Sequence, residues 1–85
     1  MAVRVTVETA SRSEAELIAQ RLPVTAQAQS WRGLGVIRVA LKGRDEVASF
    51  LEVVSRTFYE HQLQWARVRY DDEECVFRPN GHKPR

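Results

Sequence analysis

An 85-residue chain with 44% hydrophobic and 28% charged side chains amounts to one small globular domain, and that balance excludes a disordered polyelectrolyte. Its net charge of +2, from 13 basic and 11 acidic residues, does not by itself call for nucleic acid. No apolar run nears the ~18 residues of a membrane span, the opening Met-Ala-Val-Arg-Val lacks a leader pattern, and the lone Cys75 permits no internal disulfide, so the expectation is a soluble, cytoplasmic domain.

Val3-Arg4-Val5-Thr6-Val7-Glu8 alternates apolar and polar residues, which predicts a half-buried strand. A helix follows, with Ala15, Ile18, Ala19 and Leu22 at its spacing. Ser13 with Glu16 forms a capping box, and Ser11 with Glu14 offers the same box in another register. Arg21 suits the negative end of the helix dipole, and Pro23 stops the helix. Residues 25–31 read as a second strand of weak β propensity, which suits a sheet edge. Arg32-Gly33-Leu34-Gly35 supplies a turn, and residues 36–41 form a strong strand.

Lys42-Gly43-Arg44 breaks that strand, and Asp45 is placed to cap a second helix. In it Val47, Phe50, Leu51, Val54 and Phe58 trace one apolar stripe, while Glu52, Arg56 and Glu60 form an ion-pair ladder opposite. Residues 64–70 alternate as a fourth strand. Asp71-Asp72-Glu73-Glu74 then interrupts, Cys75-Val76-Phe77 offers a short return strand, and residues 79–85 read as a loose tail. The predicted domain is residues 1–70, and residues 71–85 are an acidic turn, a short extra strand and a flexible C-terminal tail.

The βαββαβ order resembles the ferredoxin-like fold. That resemblance implies an α+β two-layer sandwich, with both helices on one face of an antiparallel sheet in strand order 4-1-3-2. Strand alternation assigns Val3, Val5, Val7, Ile37, Val39, Leu41, Ala66, Val68 and Tyr70 to the helix-covered face. It sends Arg4, Thr6, Glu8, Val36, Arg38, Ala40, Trp65, Arg67, Arg69 and, from the second strand, Thr25, Gln27, Gln29 and Trp31 to the other face. Four arginines and both tryptophans then share one uncovered surface.

Tryptophan and arginine are the side chains most enriched at binding hot spots. The leading expectation is therefore a non-catalytic binding module. It would form a homodimer or dock a partner protein through Arg4, Trp31, Arg38, Trp65, Arg67 and Arg69. Glu8 or the acidic run would pair with arginines of a neighbouring subunit. A second reading is single-stranded nucleic-acid binding, with arginines on phosphates and tryptophans on bases. The topology is similar to that of RNA-recognition domains, whose stacking aromatics stand on the two central strands. Here those outward positions hold Arg4, Thr6, Val36, Arg38 and Ala40. A third reading is a carboxylate ligand held by Arg38 or Arg67, as in amino-acid-sensing domains or small dimeric oxygenase-like domains.

Other chemistry finds little footing. Gly33-Leu34-Gly35 lacks the helix that a phosphate-cradling loop needs. His61, His82 and Cys75 share no metal-ligand spacing, and residues 71–74 read as a solvated acidic turn. His61 is expected half-buried at a helix end, and Cys75, after four acidic residues, as a poor nucleophile. No catalytic residue, metal or cofactor is assigned.

Overall fold

The unbroken alternation of residues 3–8 builds β1 (Val3–Thr9) as a central strand. It is followed by α1 (Arg12–Arg21), β2 (Ala28–Trp31), β3 (Leu34–Leu41), α2 (Arg44–Glu60), β4 (Ala66–Tyr70) and β5 (Glu73–Phe77) in the computed structural model, which describes residues 2–79. The strands form a single antiparallel sheet in the order β2-β3-β1-β4-β5. This α+β sheet of five strands differs from the four-stranded 4-1-3-2 sheet expected. The acidic run does not end the sheet. Asp71 and Asp72 alone make a tight turn, with Asp71 at φ 52°, a left-handed conformation that aspartate tolerates. Glu73 and Glu74 then enter β5, which Phe77 anchors by packing on Phe58 and Tyr59 of α2, at ring-centroid distances of 5.8 and 6.5 Å.

All nine residues assigned to the covered face lie in or against one apolar cluster with Ile18 of α1 and Phe50, Val54 and Phe58 of α2. Both helices therefore press on the same side of the sheet. Burial of this kind, at about 25 cal/mol per Å² of apolar surface, is the main force holding so small a chain folded. Among the described residues no helix is long and apolar enough to cross a membrane.

Local details settle one alternative that the sequence left open and depart from the sequence reading in four places. Of the two cap registers the sequence offers, Ser11 with Glu14 is the one adopted, the Ser11 Oγ accepting from the Glu14 backbone N–H at 3.3 Å. Gly43 rather than Asp45 precedes α2, and Glu46 Oε1 accepts from the Lys42 backbone N–H at 2.8 Å. Residues 25–27 stay outside β2, because pairing with β3 stops at Ala28 opposite Ile37. The β2–β3 turn is only Arg32-Gly33, both with positive φ, as a two-residue hairpin loop favours. Glu60 reaches Arg21 of α1 at 3.6 Å instead of extending the Glu52–Arg56 pair.

Gly35 fixes how β3 meets the start of α1. A Cβ there would collide with the Ser11 carbonyl oxygen, Thr9 Oγ1 and Ala15 Cβ. The fully buried Thr9 hydroxyl donates to that same carbonyl at 2.6 Å, so β1, β3 and the α1 cap share one tight junction.

Candidate functional site on the uncovered sheet face

The register places the opposite side chains in rows across the sheet. Gln29, Val36, Glu8, Arg67 and Val76 stand side by side through the centre. Arg38, Thr6, Arg69 and Glu74 form the next row, and Arg4 stands beyond it opposite Ala40. At the other end Trp31 stands beside Leu34. Trp65, one residue ahead of β4, lies at that same end and shares a shallow depression with Arg67, Glu74, Val76, Arg78 and Pro79. Three strand spacings separate the two indoles, about 14 Å. The face thus has an apolar, aromatic end and a basic end.

Glu8 occupies its centre. No helix covers it, yet it is only 8% exposed, and its neighbour Val36 is 2% exposed. Arg67 Nε lies 3.1 Å from Glu8 Oε1, and the Arg69 guanidinium donates to Glu8 Oε2 at 3.2 Å. Arg67 also reaches Glu74 at 3.5 Å. Two guanidinium groups and two carboxylates cancel within this network. The expected pairing of Glu8 with a neighbouring subunit is therefore corrected: its partners are in its own chain. A carboxylate buried at the middle of a sheet needs such partners, because an unpaired buried charge is strongly disfavoured.

Arg78, at the Trp65 end, pairs with no carboxylate among the described residues. Of the four arginines on β1, β3 and β4, Arg4 and Arg38 are what remain. Both are exposed, and neither pairs with a carboxylate among the described residues. Arg38 instead donates to Gln29 Oε1 at 3.5 Å. Trp31 is 51% exposed, with the Arg32 guanidinium stacked 4.9 Å from its ring centroid, and Val76 is 47% exposed. All six residues singled out in the sequence thus stand on or beside this surface, but in two groups. Arg67 and Arg69 hold Glu8, whereas Arg4, Arg38, Trp31 and Trp65 face outward or line its depressions. Glu74, Val76 and Arg78 were missed. They join the face only because β5 pairs with β4, and no alternation longer than three residues announces that strand.

Thr25 and Gln27 precede β2 and so fall outside the ladder. His61 is exposed at the C-cap of α2, not half-buried, since only its backbone N–H is engaged, bonding to the Thr57 carbonyl. Cys75 faces the helix side opposite Val68 and packs against the core. Asp71 pairs with Arg44 at 3.4 Å. Burial raises the Tyr70 phenol pKa, and hydrogen bonding and charge at Glu73 push it the same way. Among the described residues no three His, Cys, Asp or Glu side chains are grouped to hold a metal ion. His82 and the remainder of the proposed tail from residue 80 lie outside the described residues.

Comparison of the chain with family models, with curated proteins and with solved structures finds no match.

Proposed function

We propose that this chain is a small non-catalytic, cytoplasmic binding module, a ferredoxin-like domain extended by β5, that docks a protein partner through the uncovered sheet face. The βαββαβ order of the first six elements supports the fold reading, and the lone Cys75 suits a reducing compartment. One observation carries the functional reading. The face opposes two exposed, carboxylate-free arginines, Arg4 and Arg38, to an end bearing Trp31, Leu34, Trp65 and Val76. Its surplus charge is positive and its own carboxylates are already paired, so the face is not complementary to itself. It is complementary to a partner surface that sets carboxylates beside apolar side chains. Both face carboxylates are held in ion pairs, which suits a contact surface better than acid–base chemistry.

Single-stranded nucleic acid is the competing occupant. A carboxylate at the centre, surplus cations scattered as Arg4, Arg38 and Arg78 rather than aligned, and aromatics displaced to one end make a poor track for phosphates and bases. Tryptophan fluorescence separates the two. A peptide of alternating glutamate and leucine is expected to shift the emission, and Arg4→Glu with Arg38→Glu to weaken its binding at least ~10-fold, about 1.4 kcal/mol. Failure of that peptide to bind, together with oligouridylate binding that collapses as salt rises, would overturn the proposal in favour of nucleic acid.

A further inference from the structure

The two edges of the sheet differ in chemistry. β5, at one edge, carries Glu73 and Glu74 after the Asp71-Asp72 turn, and charges of this kind deter strand addition. β2, at the other edge, carries none: no charged residue occurs between Arg21 and Arg32. Its outer backbone edge has no hydrogen-bonding partner among the described residues. An uncharged edge strand of this kind is a template for another strand. Beside it, between β2 and α1, runs a groove lined by Ala19, Ala26 and Ala28, with Arg12, Glu16 and Gln20 along its helical rim.

We infer that this edge receives β2 of a second copy of the chain, pairing antiparallel across a two-fold axis to give one continuous ten-stranded sheet. Three features select a second copy over an unrelated peptide. An antiparallel self-pairing keeps the two faces matched, so the small residues Ala26, Ala28 and Ser30 meet on the helix side and Gln27, Gln29 and Trp31 on the other. The same two-fold axis sets α1 antiparallel to its mate. Arg12 and Glu16 already pair with each other on that rim at 3.2 Å, so two such rims meet without net repulsion. The pairing also accounts for residues 25–27, which alternate like a strand but have no ladder partner on β3. Strand 25–31, read from the sequence as seven residues, is completed by the mate.

The inference goes beyond the docking role of the uncovered face and stands apart from it. It makes that face bivalent, joining two copies of it along the seam beside Trp31. Light scattering coupled to size exclusion is the test, with hydrogen exchange as second readout. A dimer is expected at ~100 μM protein, an ordinary range for a small interface. Gln27→Lys and Ser30→Lys, both at exposed positions, each put a charge on the edge and are expected to weaken the dimer at least ~10-fold. Arg4→Glu with Arg38→Glu is expected to leave the dimer intact while weakening binding of the acidic peptide at least ~10-fold. Amides of residues 25–31 should gain protection as protein concentration rises. A strict monomer overturns the inference. So does a dimer that survives both lysine variants, or one that dissociates in the arginine variant, which would put the second copy on the open face.

Discussion

Gly35→Ala is expected to cost about 3 kcal/mol or more, at the upper end of the penalty for overpacking a filled site. For a domain of this size that lowers Tm by at least about 12 °C. The cause is steric rather than conformational. The new methyl group has no free space, because the Ser11 carbonyl, the Thr9 hydroxyl and the Ala15 methyl already fill it. Relief requires moving the α1 cap, and with it the hydrogen bond from Thr9 to Ser11. Gly33→Ala is the control. It has open space around it and loses only the ease with which glycine adopts φ 84°, a cost of about 1 kcal/mol. Differential scanning calorimetry of the two variants distinguishes the cases. Equal losses would show that the β3–α1 junction is not tight.

The ion-pair network at Glu8 is the second large effect. Removing Arg67 and Arg69 together leaves a nearly inaccessible carboxylate without a cation, and about 2–4 kcal/mol of stability should go with it, tempered by the partial exposure of both arginines. A double-mutant cycle between Glu8→Ala and Arg67→Ala isolates the pair. Its coupling is expected at about 1–2 kcal/mol, against about 0.3–0.5 for an exposed helical pair such as Glu52 with Arg56. Urea denaturation supplies the four stabilities. A coupling no larger than that of the helical pair would mean that Glu8 is solvated and that the face has no organised centre. The network also bears on function: it withdraws Arg67 and Arg69 from partner contact and leaves Arg4 and Arg38 as the surplus charge of the central strands.

Much of this surface is legible from strand alternation alone. A side-chain period of two makes Val3, Val5 and Val7 share one face and Arg4, Thr6 and Glu8 the other, whatever the rest of the chain does. The same logic separates Ala66 and Val68 from Arg67 and Arg69. Alternation within a strand says nothing about register between strands, however. That Arg67 stands opposite Glu8 rather than opposite Thr6 is fixed by long-range packing, so the sequence shows the charges but not their pairing. β5 was only partly legible because two of its five residues are glutamates, which resemble a continuing turn; Phe77 and the aromatic end of α2 override that local preference. Ser11 prevailed over Ser13 as the cap because the junction at Thr9 and Gly35 sets where the chain leaves the sheet.

The account rests on the side of the sheet away from the helices being the contact surface, and nuclear magnetic resonance titration with the glutamate–leucine peptide tests this most directly. The indole N–H signals of Trp31 and Trp65 and the amides near Arg4 and Arg38 are expected to shift together and saturate at one peptide concentration. Shifts confined to the outer surfaces of α1 and α2, with both indole signals unmoved, would contradict it.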